Sequence, residues 1–216
     1  MFNVLRIVLA TTTLLPGAVA AHEASAALPT PATTTTPAAN PAIEIVGMTH
    51  AEETATLRSV ALFAEAGLTL PPVVIRRHHD TAGCNDHDGL HRVDAQRSVI
   101  DVCTDDGGDG EQRTIIHELG HAWSFHAMTP EDKEAFRAAR GWQFWLDYDH
   151  AGWADNGAEQ AAEIVVWALS EQPVEVRLQH RTSCTELHTG YVALTGLAPL
   201  HGHTERCDDT EASRVS

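Results

Sequence analysis

Apolar and polar positions change period several times along this chain, and the changes outline a mixed order of helices and strands. Ala55, Leu57, Val60, Ala61, Leu62 and Ala64 recur with Glu52, Glu53 and Arg58 turned outward, which predicts a helix over 51–66 closed by Gly67 at its C-terminal cap. Pro71-Pro72 then leads into Val73-Val74-Ile75, a β-branched run that predicts a strand. Val99-Ile100-Asp101-Val102-Cys103 predicts a second strand, followed by a glycine-rich loop from Asp105 to Gly110. Ile115, Leu119 and Ala122, with Ile116 and Trp123 beside them, repeat at helical spacing. Thr129-Pro130-Glu131-Asp132 has the form of an N-cap, a proline in the first turn and acids against the helix dipole, for a helix through Arg140 that stops at Gly141. Ala161, Ile164, Val165, Ala168 and Leu169 mark one face of a further helix over 159–169, and 183–194 a last one. The pattern as a whole predicts an α+β fold in which a small sheet packs against the helix around Leu119.

The ends of the chain read differently. Residues 1–20 hold an apolar run from Val4 through Leu15 and then Ala18-Val19-Ala20, the form of a cleavable secretory leader too short in its apolar core to span a membrane. Residues 21–42 are mostly Ala, Thr and Pro, a composition that cannot bury apolar surface and predicts a disordered spacer. The domain is expected over 43–207, with a frayed tail over 208–216.

Charge narrows the partners. With 30 acidic against 14 basic residues, the formal net charge is −16, so no basic patch exists for nucleic acid to bind. No segment after the leader is apolar enough to suggest a membrane partner, and a secreted monomer is the expectation. The 4 cysteines, Cys84, Cys103, Cys184 and Cys207, form no C-x-x-C pair. An even count in an exported chain predicts two disulfides. Three pairings are possible, of which the local ones, Cys84 with Cys103 and Cys184 with Cys207, are expected because each closes a modest loop.

The candidate chemistry lies at His117-Glu118-Leu119-Gly120-His121. On a helix, positions i and i+4 share a face, so His117 and His121 can present two imidazole nitrogens to one metal. Glu118, one step round the same turn, can exchange protons with a metal-activated water. The competing reading makes both histidines ordinary polar positions of an amphipathic helix. A catalytic zinc needs a third protein ligand, and Glu159 and Glu163 stack at i and i+4 on the later helix. Glu159 is the preferred ligand, with Glu163 accepting the free N–H of a ligating imidazole. Two alternatives stay open: Asn156 and Glu159 form a capping box and Glu163 is the ligand, or both acids are surface residues.

Further residues carry weaker signals. His78, His79, His87 and His91 lie in the polar stretch after the first strand, where solvated loop histidines are a commoner outcome than a second metal site. Trp142, Phe144, Trp145, Tyr148 and Trp153 form an aromatic cluster, mostly expected as core or cleft wall. Tyr148 and His150 are kept as candidate donors to a developing oxyanion. Tyr191 is read as packing.

The segment from His117 to Trp123 followed by Glu159-x-x-x-Glu163 resembles the gluzincin branch of the zinc metallopeptidases, and most closely small secreted bacterial proteins with R-T-x-x-H-E-x-x-H-A-W and a later E-x-A-A-E helix. The resemblance covers mainly 84–169. It implies a zincin-like fold, zinc (Zn2+) held by His117, His121 and Glu159, Glu163 as their support, a cleft-lining strand for which 99–103 is the candidate, and hydrolysis of peptide bonds in a protein or peptide substrate with Glu118 as general base. No third histidine follows at the metzincin spacing, and no residue matches the family's oxyanion donor, which leaves Tyr148 and His150 as the candidates. A secreted zinc-dependent metallopeptidase is therefore the expectation. The alternatives are an exported metal-binding module without turnover and a zinc amidase acting on cell-wall peptides.

Overall fold

A central four-stranded sheet carries one helix across its inner face, and a second helix is buried behind the first. The computed structural model describes residues 42–94, 97–104, 109–147, 149, 152–178, 182–203 and 207. The strands are β1 (Ile43–Val46), β2 (Val73–Arg77), β3 (Gly89–Asp94) and β4 (Arg97–Val102), in the spatial order β1-β2-β4-β3. β1, β2 and β4 run parallel, and β3 returns antiparallel along the edge of β4. The leader, most of the spacer and the tail after Cys207 lie outside the described residues.

The helices are α1 (His50–Glu65), α2 (Asp109–Ala127), α3 (Pro130–Arg140), α4 (Gly157–Leu169) and α5 (Cys184–Thr195). Local chemistry sets their ends. Thr49 with Glu52, Thr129 with Asp132 and Ser183 with Glu186 form reciprocal capping boxes at the starts of α1, α3 and α5. At the end of α1, Gly67 takes φ 77° while its N–H bonds to Ala64 and that of Leu68 to Phe63. This is the paired closure that a left-handed residue after a helix permits.

Val73, Ile75, Ile100 and Val102 turn from the sheet into one core with Ile115, Ile116 and Leu119 of α2. α4 lies behind α2, and every residue from Gly157 to Leu169 is buried. The predicted amphipathic face is thus incomplete as a description, because α4 is enclosed on all sides. Gly120 of α2 sets one approach: an added Cβ would stand 3.3 Å from Ala162 Cα and 3.6 Å from Val165 Cβ. Gly190 of α5 sets the other, since a Cβ there would meet Ile164 Cδ1 at 2.9 Å.

The structure corrects several boundaries and finds two strands that periodicity did not mark, β1 and β3. His91 lies in β3 and not in a loop. The predicted loop from Asp105 to Gly110 is shorter at its far end, because α2 already begins at Asp109. Both local disulfides form, Cys84 with Cys103 and Cys184 with Cys207, a pattern that suits an oxidising, extracellular compartment. Among the described residues, no helix is long and apolar enough to cross a membrane.

Candidate metal centre

α2 and α4 bring three donor atoms to one point. His117 Nε2 stands 3.1 Å from Glu159 Oε2 and 3.1 Å from His121 Nε2, and His121 Nε2 stands 3.2 Å from the same Glu159 oxygen. The two histidines come from successive turns of α2, and Glu159 from the first turn of α4. The helices can meet this closely because Gly120, one residue before His121, offers no side chain to Ala162.

The donor set fits a small divalent cation. Ligand bonds of about 2.0–2.1 Å in a tetrahedral shell place neighbouring donors about 3.3 Å apart, close to the separations found. His117 Nδ1 lies 3.0 Å from Glu163 Oε1, at an angle short of a linear hydrogen bond. With a metal bound, a proton on Nδ1, the nitrogen that faces that carboxylate, would leave the Nε2 lone pair for the cation. A cation at the centre of the three donors would replace the proton that His117 Nε2 shares with Glu159 in the metal-free site. Among the described residues this is the group of three His, Cys, Asp or Glu side chains arranged to hold a metal. His78 instead pairs with Asp101 at 2.7 Å, and His91 Nε2 with Ser98 Oγ at 2.8 Å.

Glu163 is fully buried behind the site. It accepts from Arg113 Nη2 at 2.5 and 2.6 Å and from the backbone N–H of Arg177 at 2.8 Å. Asn156 precedes α4 as its N-cap but makes no capping hydrogen bond. Its side chain accepts from the Asp147 N–H at 2.7 Å and donates to the Gly152 carbonyl at 3.2 Å. The capping-box alternative for Glu159 is therefore not realised.

Protonation in the metal-free site follows from burial set against neighbours. Burial alone would lower the His117 imidazolium, but the Glu159 and Glu163 carboxylates outweigh it and hold the group up at about 10. Burial would raise Glu159, and the two imidazoles overcome it, holding that carboxyl far below its usual range. For Glu163, burial is again outweighed, chiefly by His117 and then Arg113, to about 2. Glu118 goes the other way. Burial pushes its carboxyl up, only partly offset by His117 and His121.

A cavity of about 870 Å³ opens over this centre, and His117, Glu118, His121 and Glu159 all line it. The strand on its wall is β3, with Gly89, Leu90 and His91, and not the expected 99–103 segment. β4 is covered by β3 on that edge. The His91 N–H faces the Glu118 carboxylate, and the Trp153 ring lies nearly parallel to that of His117, 5.9 Å between centroids. Tyr148 and His150 lie outside the described residues. Tyr191 is fully buried in the core and does not line the cavity.

Sequence reasoning passed over Arg113, His91 and Arg177 as site residues. Arg113 was within reach, since it stands four residues before His117 on the same helical face. Arg177 lies in an irregular stretch with no period to mark it.

Comparison of the chain with family models, with curated proteins and with solved structures finds no match.

Proposed function

We propose that this protein is a secreted zinc-dependent metallopeptidase of zincin-like architecture, with His117, His121 and Glu159 as metal ligands and Glu118 as general base. The observation that carries the reading is the convergence of three donor atoms from two helices, with a buried carboxyl on the same helix turn facing the same cavity. Three protein ligands leave room for a further ligand, the composition of a catalytic site and not of a closed structural one.

A divalent ion held there supplies Lewis acidity and a water of lowered pKa. Glu118 takes a proton on the cavity side and returns it to the departing amine. The His91 N–H holds its carboxylate in place, and burial keeps its basicity above that of an exposed acid. Glu163 keeps the His117 proton on Nδ1. β3 lies at the end of the sheet order, so its outer edge is available to an extended peptide. The two disulfides and the leader-like start support export.

Zinc content and casein cleavage, compared between the protein and Glu118→Gln, test this. Cleavage lost with zinc retained supports the peptidase. Zinc bound with no cleavage by either form would identify a metal-binding module, and release of peptides from peptidoglycan alone would identify the amidase.

A further inference from the structure

The cavity has unlike ends. Along α2 the lining runs from Arg113, past His117 and His121, to Phe125, a helical rise of about 18 Å. That length accommodates about five residues of extended peptide. At the Phe125 end stands Trp145, the Lys133 ammonium lying over both rings, while Trp153 stands beside His117; Phe125, Leu146 and Trp153 are all exposed to solvent. At the Arg113 end stands Arg177.

The two arginines differ in what they can offer. Arg113 is committed to Glu163 through two short contacts, with its side chain only 12% exposed. The Arg177 side chain is 57% exposed, and its ion pair is a 3.4 Å contact with Asp88, itself 51% exposed. An exposed pair of that kind is worth about 0–1 kcal/mol, so an incoming carboxylate competes for the guanidinium on favourable terms. Position is nonetheless fixed. The Arg177 N–H is fastened to Glu163 at 2.8 Å, the carboxylate that also faces His117, so the side chain starts from a point tied to the metal helix.

We propose that Arg177 is a specificity determinant, binding a carboxylate of the peptide at the end of the cavity opposite the aromatic wall. This rests on the peptidase reading and deepens it by naming a substrate class. A guanidinium presents paired N–H donors that match a carboxylate in two-point contact. The net charge of −16 repels acidic peptides at long range, so the preference is local and arises at Arg177 and not from the overall field.

The test reads binding on zinc-loaded Glu118→Gln protein, in which peptide is not consumed, by the fluorescence of Trp145 and Trp153. The probes are short peptides built around one Phe, with Glu or Gln at successive positions on either side and with a free or amidated C-terminus. Glu at one position is expected to bind on the order of ten times more tightly than Gln. Arg177→Gln, which keeps the backbone bond to Glu163, removes that preference, and Arg177→Glu inverts it towards Lys. If the free-acid and amide pair carries the difference and internal Glu does not, the group recognised is the C-terminal carboxylate.

Equal affinity for charged and neutral peptides, or a preference that survives Arg177→Gln, overturns the proposal. Preferential binding without cleavage by the Glu118 form overturns the peptidase reading and leaves Arg177 its role. Cleavage without preference does the reverse, and absence of all peptide binding overturns both.

Discussion

Gly89 of β3 stands directly against Glu118 of α2, so closely that a Cβ on Gly89 would lie 2.8 Å from Glu118 Oε1 and 2.7 Å from Thr114 Cγ2. A strand glycine of this kind marks a place where another group must come close. Its consequence here is chemical, because the side chain that would have to yield is the proposed base. Gly89→Ala is therefore expected to fold and to hold zinc as before. Turnover should drop on the order of 10–100-fold, part of the factor general-base catalysis contributes. Paired measurements of kcat/KM and zinc content check this, and unchanged kcat/KM would show that Glu118 does not depend on the approach.

Glu163 joins three groups: His117, Arg113 and the Arg177 backbone. Glu163→Gln keeps the volume but removes the charge. Arg113, only 12% exposed, is then left without its counter-ion, which should cost up to about 3 kcal/mol of stability. The His117 ring also loses the carboxylate that orients it, and zinc affinity should fall about 10–100-fold. Adding Arg113→Met to that variant should restore stability and leave zinc affinity low. Denaturant titration and competition with a chromophoric chelator separate the two effects. Recovery of both together would mean that Glu163 acts on the metal site only through folding.

The parts of this centre differ in how plainly the chain announces them. His117, Glu118 and His121 are legible because helical spacing alone puts them on neighbouring positions, and the i, i+4 pair Glu159 and Glu163 for the same reason. Which acid meets the metal was not decidable from spacing. It depends on where α4 crosses α2, and that is set by Gly120 lying against Ala162. β3 escaped notice because Gly89-Leu90-His91-Arg92-Val93-Asp94 is a partly exposed edge strand whose polar residues face neighbours and solvent, leaving only Leu90 and Val93 apolar. The complete burial of α4 was hidden by Glu159, Gln160 and Glu163, polar residues that interrupt its apolar pattern although all three are buried.

Gly120 supplies a direct check on that crossing. A Cβ at this position would stand 3.3 Å from the Ala162 Cα, and a backbone atom cannot swing aside as a side-chain tip can. Gly120→Val is expected to force α2 and α4 apart. Overpacking of this kind costs about 1–3 kcal/mol, beyond any gain in helix propensity. The donors on the two helices separate with them, so zinc affinity should fall even at temperatures where the variant is fully folded. Gly120→Ala should show the same changes at smaller size. Wild-type zinc affinity in a folded Gly120→Val protein would show that the crossing does not set the ligand geometry.

Tyr191 on α5 gives a prediction that does not depend on the metal. Its ring is fully buried in the core, and among the described residues its hydroxyl finds no well-formed hydrogen bond. Burial pushes the phenol up to about 12, only partly offset by Thr195. In the unfolded chain the same group titrates near its ordinary value of about 10, so the fold favours the neutral form. The stabilisation is fully present below pH 10 and is lost as the pH rises from there towards 12, because the unfolded chain then releases a proton that the folded one retains. Tyr191→Phe has no such group to titrate. At neutral pH it should be as stable as the parent or slightly more so, since an unsatisfied buried hydroxyl is removed, and its advantage should widen above pH 10. Urea denaturation of both proteins at pH 7, 10 and 11 measures this, and a constant difference across the three would place the Tyr191 hydroxyl in contact with water.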